Sequence, residues 1–224
     1  MGQAIGAILP LAIAVAISPV PIIAIVLVLG TRGARVNGLT FTLGWLVGLS
    51  VVGALVLIVI GRSATGDADE PATWASTLKL AFGVLLLLMA ARLWRGRPKH
   101  GQEAPLPKWT QAVDDFTAAK WLGMGVLLSA ANPKNLVLTA AAAAAIAETG
   151  IPGGEEAIAL AVFVLLGSLT ILAAVTAYLV LGSRADGALG SLKSFMAAHN
   201  AAIMTVLLLL IGAKLVGDAI ASFS

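Results

Sequence analysis

Two short stretches, Ser18-Pro19-Val20-Pro21 and Asn132-Pro133-Lys134-Asn135, decide how this chain folds. Each lies near the middle of a long apolar run, residues 4–30 for the first and 119–147 for the second. Proline has no backbone N–H and its ring clashes with the preceding turn, so a helix that meets it kinks or stops. Proline is nevertheless favoured at the first position of a new helix, and serine and asparagine are favoured just ahead of it as caps. Each stretch is therefore read as a break, followed at once by a proline-started half-helix.

Working outward, four further apolar runs cover roughly 38–60, 76–94, 156–181 and 199–219. The 224 residues are 59% hydrophobic and 11% charged, and the mean hydropathy is +1.00. A soluble domain carries about 25% charged residues, so lipid is the expected solvent. A crossing helix needs about 20 apolar residues, which makes six spans the expected number. Ala14-Val15-Ala16 has the small-x-small pattern of a signal-peptidase site. No basic residue precedes it and the apolar run continues to Leu29, so the segment is read as a retained helix.

The spans fall into two halves, 1–95 and 119–224, joined by a polar linker at 96–118 that holds Pro98, Pro105 and Pro107. Residues 83–93 and 205–215 match closely and share a small-small-basic-Leu ending, Ala90-Ala91-Arg92-Leu93 against Gly212-Ala213-Lys214-Leu215. Helix three thus matches helix six. Ser18-Pro19 matches Asn132-Pro133 in helices one and four. With three spans per half, the second half is inverted in the membrane, a plan common among secondary transporters. The expected fold is an all-α membrane protein, a 3+3 inverted repeat with helices 1 and 4 broken at mid-membrane.

Charge sets the orientation. The first, third and fifth loops and their flanks carry Arg32, Arg35, Arg92, Arg95, Arg97, Lys99, Lys108, Lys120, Arg184 and Lys193, ten of the 14 basic residues. The positive-inside rule places these loops in the cytoplasm and both termini outside a plasma (inner) membrane. Topogenesis accounts for the basic residues, which meet anionic lipid, and nucleic-acid binding is not implied.

The breaks also suggest a site. A half-helix N-terminus offers free N–H groups and partial positive charge, and Lys134 adds a full charge at membrane depth. The spans offer it no acidic partner; Asp218, at the end of helix six, is expected near the outer surface. An intramembrane lysine is costly and is a functional candidate on that ground. The expected binding residues are Ser18, Pro19, Pro21, Asn132, Pro133, Lys134 and Asn135, with a phosphate, sulfate or carboxylate as counter-charge. The plainer reading of the same residues is a pair of proline kinks, with Lys134 satisfied by carbonyls freed at the other break.

Trp45 is a secondary site candidate, with packing as its simpler role. Asp114 and Asp115 precede helix four, where they cap it or meet loop arginines. Gly44, Gly48 and Gly53 on helix two read as a packing face. No metal centre is expected, because there is no cysteine and the two histidines, His100 and His199, lie far apart. No cofactor is expected. Enzymatic function is not expected either, because no histidine, cysteine or carboxylate pair sits at membrane depth to do acid–base work.

Ser18-Pro19-Val20-Pro21-Ile22-Ile23, Asn37-Gly38 with Leu43-Gly44-Trp45, and Asn132-Pro133-Lys134-Asn135-Leu136 resemble the GAP family over almost the whole chain. These are the peptidoglycolipid-addressing proteins of actinobacteria, also called sulfolipid-addressing or Sap proteins, within the LysE superfamily of exporters. The resemblance implies six spans and a role in moving complex lipids toward the cell surface. It supplies no catalytic residue. The expected function is flippase-like export of an anionic or glycosylated lipid. Its partners would be that lipid or glycolipid, membrane lipids, a second copy of the chain as a homodimer, and a lipid-export machinery. The rivals are export of a small solute and a non-transporting accessory role.

Overall fold

A computed structural model of the chain describes residues 1–63, 71–97 and 116–223. Among these residues the regular structure is all helical. The order is α1 (Gly2–Ala16), α2 (Pro19–Leu29), α3 (Ala34–Ser63), α4 (Pro71–Arg95), α5 (Ala118–Val126), a π turn (Leu127–Ala131), α6 (Pro133–Ala147), α7 (Gly153–Gly167), α8 (Leu169–Leu181), a 3₁₀ turn (Gly182–Ala185) and α9 (Asp186–Phe223).

Proline punctuates the chain where the sequence indicates. Pro19 and Pro133 start α2 and α6, with Ser18 and Asn132 in extended conformation immediately before them. The first break bends the path by 53°. Pro10, by contrast, is carried inside α1 without ending it. Glycine serves at the end of α8: Gly182, which opens the 3₁₀ turn, has φ 58°, a conformation glycine adopts without steric cost.

Three stretches among the described residues are long and apolar enough to cross a bilayer: Ala34–Ile60, Ser76–Arg95 and Leu169–Ser222. The bent pair α1–α2 makes a fourth. Several apolar helices of this kind mark a membrane protein. The sequence indicates six crossings. The difference arises at the breaks, because Ala118–Ala131 and Pro133–Ala147 are each shorter than the about 20 residues of one span.

Two departures from the sequence reading have clear causes. The run 156–181, expected as one helix, is divided at Ser168 between α7 and α8. No proline is present there, but a Gly-Ser pair, Gly167-Ser168, is a known kink site. The fifth loop, expected over 182–198, is helical from Asp186 onward. Leu192 and Met196 recur at helical spacing and pack with Ile22, Ile23 and Leu27 of α2, outside the main core. That apolar face holds the first turns of α9 in a helix.

The main core is built around α1, α3, α6 and α7, with α4 packed along α9. Glycine allows two close approaches. A Cβ on Gly44 would overlap the Leu122 carbonyl, and one on Gly125 the Phe41 carbonyl, so α3 and α5 meet nearly backbone to backbone. Gly48 faces Ser129 of the π turn and Gly53 faces Leu160 of α7. The glycine face of α3 is thus occupied inside the chain.

Candidate functional site

The two breaks meet. Ser18, Lys134 and Asn135 are 2%, 1% and 0% exposed, although Ser18 and Lys134 are more than a hundred residues apart in the chain. Their joining follows from local geometry. Ending α1 at Ala16 leaves its last carbonyls without the amide partners a continuing helix would supply. The 53° bend turns those carbonyls toward the start of α6.

Lys134 Nζ donates to the Ala14 carbonyl at 2.7 Å and to Ser18 Oγ at 2.5 Å. Ser18 Oγ in turn donates to Asn135 Oδ1 at 3.2 Å, and Asn135 Nδ2 donates to the Leu128 carbonyl in the π turn at 2.9 Å. Asn132 Oδ1 accepts from the Lys134 backbone N–H at 3.1 Å, which caps α6. One short motif therefore caps its own helix and sends an ammonium across to the other break.

The electrostatics explain how a lysine is tolerated here. Lys134 begins α6, where the helix dipole opposes a positive charge. Its side chain leaves that end and reaches the C-terminal end of α1, where the dipole favours one. Two of its three protons have acceptors, and neither acceptor is ionised. Among the described residues the ion pairs are the Met1 amino group with Glu155, Lys79 with Glu148, and Lys214 with Asp218. Lys134 is in none of them. Asp218, the nearest acid to a span, is taken by Lys214 on an exposed face.

The sequence-derived candidates distribute as follows. Ser18, Lys134 and Asn135 form the cluster. Asn132 caps α6, Pro19 and Pro133 start the half-helices, and Pro21 is buried in the first turn of α2. Trp45 is fully buried, and its Nε1 donates to Ser168 Oγ at 3.1 Å. Asp114 and Asp115 lie outside the described residues.

Comparison with protein-family models finds that of Sap, sulfolipid-1-addressing protein, matching residues 8–221. The chain belongs to this family. No curated protein and no solved structure matched it. The description of the Sap family ties it to sulfolipid addressing, a lipid connection in keeping with the apolar helices.

In this Sap-family chain three polar positions at the breaks escape a reading of the sequence. Thr170 Oγ1 donates to the Ala16 carbonyl at 2.6 Å, so α8 closes a second freed acceptor of α1. Ser168, at the α7–α8 break, holds Trp45. Thr139, one turn beyond Asn135 on α6, is fully buried, and its hydroxyl has no hydrogen-bond partner among the described residues. The available signal was the Gly167-Ser168 pair with Thr170 just after it. A threonine inside an apolar helix otherwise bonds its own backbone as readily as a neighbour's.

Proposed function

We propose that this protein is a plasma-membrane transporter of the LysE type, not an enzyme, that moves an anionic or glycosylated lipid toward the cell surface. The polar head group is received where the two breaks meet. In the state described, Lys134 rests on neutral acceptors, Ala14 O and Ser18 Oγ. An arriving sulfate, phosphate or carboxylate oxygen exchanges with one of them. A charge-assisted hydrogen bond is roughly twice as strong as a neutral one, so the exchange favours the head group. Ser18, Asn135 and Thr139 supply further polar contacts, and the tails stay in the bilayer.

The observation that carries this reading is the buried lysine at the joined breaks with no carboxylate partner among the described residues. An intramembrane charge of that kind is a functional-site candidate by default. The family's lipid connection supplies the substrate class.

Six spans in a 3+3 inverted repeat with outward-facing termini are part of the same proposal, and the packing supports it. Exchanging segment 2–29 with 118–147, α3 with 153–181, and α4 with α9 maps several of the helix contacts onto one another. The packing of α1 and α2 on α7 and α8 becomes that of α5 and α6 on α3. The α2–α9 pair becomes α6–α4, and α4–α9 maps onto itself. Leu86 and Leu208, equivalent in the matched stretches 83–93 and 205–215, are both buried. Gly83 and Gly212 face each other across the α4–α9 contact.

The test is lipid translocation in proteoliposomes with a head-group-labelled anionic glycolipid. Wild-type protein should move the label between leaflets, and Lys134→Ala should slow it more than about tenfold, a barrier increase of about 1.4 kcal/mol. Unchanged transport by a folded Lys134→Ala protein would refute the site. Transport of a small anion but no lipid would favour the small-solute rival. Loss of lipid export only when the 96–118 linker is altered would favour the accessory role.

A further inference from the structure

A second feature lies away from the breaks, between the end of α2 and the start of α9. A groove of about 290 Å³ is lined by Val26, Leu27, Leu29, Gly30 and Thr31 on one side and by Asp186, Leu189, Gly190 and Lys193 on the other. Complete small-molecule pockets run from about 300 to 1,000 Å³. This volume suits the head group of a larger molecule whose remainder lies outside.

Asp186, Leu189, Gly190 and Lys193 follow the spacing i, i+3, i+4 and i+7. That spacing puts all four on one face of α9, the face turned to α2. Asp186 and Lys193 are two helical turns apart, about 10.5 Å along the axis. They form no ion pair with each other. The groove thus has a negative end and a positive end, separated by the apolar side chain of Leu189.

The other polar side chain of the lining is already engaged. Thr31 Oγ1 donates to the Val28 carbonyl at 2.7 Å and accepts from Asn37 Nδ2 at 3.0 Å. Asp186 and Lys193 are the charges left to meet a ligand. With α2 and α9 crossing the bilayer as in the proposed function, the order of the two ends along its normal follows from chain direction. α9 runs from Asp186 toward its apolar stretch, and α2 runs from its apolar stretch toward Thr31. Lys193 is therefore the deeper charge and Asp186 the shallower one. The packing of Ile22, Ile23 and Leu27 against Leu192 and Met196 keeps the two walls in place.

We infer that this groove binds the head group of a bilayer aminophospholipid, its phosphate on Lys193 and its primary ammonium on Asp186, with the first tail carbons against Val26, Leu27, Leu29 and Leu189. In such a lipid the phosphate sits nearer the hydrocarbon and the amine further out, which is the order of the two charges here. A simple anionic head group would meet Asp186 as a like charge. A quaternary amine offers that carboxylate no N–H donor. Arg32, next to Thr31, and Arg184, two residues before Asp186, are exposed and add general attraction for phosphate without choosing among head groups.

Native mass spectrometry of the full-length protein, titrated separately with dioleoyl phosphatidylethanolamine, phosphatidylglycerol and phosphatidylcholine, tests this site. Phosphatidylethanolamine should bind at least about fivefold more tightly than either of the others. Lys193→Gln should weaken it by about fivefold or more. Asp186→Asn should abolish the preference over phosphatidylglycerol while leaving phosphatidylglycerol binding no weaker. Gly190→Phe adds a ring at the groove wall, where a Cβ meets nothing within 4 Å, and replaces a poor helix former. It should therefore keep the fold and reduce binding of all three lipids.

Equal binding of the three lipids to the wild-type protein, or tightest binding of phosphatidylglycerol, would overturn the assignment. So would a preference for phosphatidylethanolamine that survives both charge substitutions. The readout is equilibrium binding at a site apart from Lys134, so its failure leaves the transport proposal standing. A failed Lys134 test likewise leaves this site standing.

Discussion

At the first break the Ser18 side chain makes no bond to its own helix, and its hydroxyl is shared between Lys134 and Asn135. At the second, Asn132 closes its own helix by accepting from the Lys134 backbone N–H. The motifs match in sequence, yet one break offers acceptors and the other is self-capped and offers a donor. The difference follows from the residue after each proline. Lysine at 134 supplies an ammonium that must find acceptors, whereas valine at 20 supplies nothing polar. The two breaks have divided the work: one carries the charge and the other carries the neutral acceptors on which it rests.

Removing the shared element should have the largest effect. Lys134→Ala leaves the Ala14 carbonyl and the Ser18 hydroxyl short of a partner in a dry site, where one unsatisfied group costs about 1–3 kcal/mol. Relief of the buried charge offsets part of this. A net loss of about 2 kcal/mol should appear as a lower unfolding midpoint of the protein in nanodiscs, beside the loss of transport. Ser18→Ala comes next. It removes one partner each from Lys134 and Asn135, at about 1–2 kcal/mol, and it should reduce transport without loosening α2, because the Ser18 side chain makes no cap bond.

Asn132→Ala should invert that pattern. The cap is worth about 1 kcal/mol, and faster hydrogen exchange should be confined to the first turn of α6, while Asn132→Asp restores protection. If Ser18→Ala and Asn132→Ala have the same local signature, the division of labour between the breaks is wrong. Thr170→Val should be the mildest change, about 1 kcal/mol or less, because it removes one neutral bond to the Ala16 carbonyl in a partly buried position. Its effect should add to that of Asn132→Ala and fall short of additive with that of Ser18→Ala, which acts on the same end of α1.

The breaks themselves were legible in the sequence because proline acts locally: α2 begins at Pro19 and α6 at Pro133. The cluster was half legible. Ser18, Lys134 and Asn135 stand out as polar residues in apolar runs, and the kink reading expects Lys134 to rest on a carbonyl freed at the other break, as it does on Ala14 O, but no side chain announces which carbonyl that is. Only the bend at residue 17 reveals Ala14 O. Thr170 and Ser168 were hidden for a related reason, since their partners lie on other segments and the α7–α8 break contains no proline. The first turns of α9 were misread as loop because charged and small residues dilute the apolar spacing of Leu192 and Met196, which becomes meaningful only against α2.

The central claim is that Lys134 exchanges a neutral partner for a lipid head group at the joined breaks. The most direct measurement is a cryo-electron microscopy map of the protein in nanodiscs containing an anionic glycolipid. The account predicts head-group density within hydrogen-bond reach of Lys134 Nζ, with the bond to Ala14 O or to Ser18 Oγ released. A map at that lipid saturation with both bonds intact and no density between the breaks would contradict it.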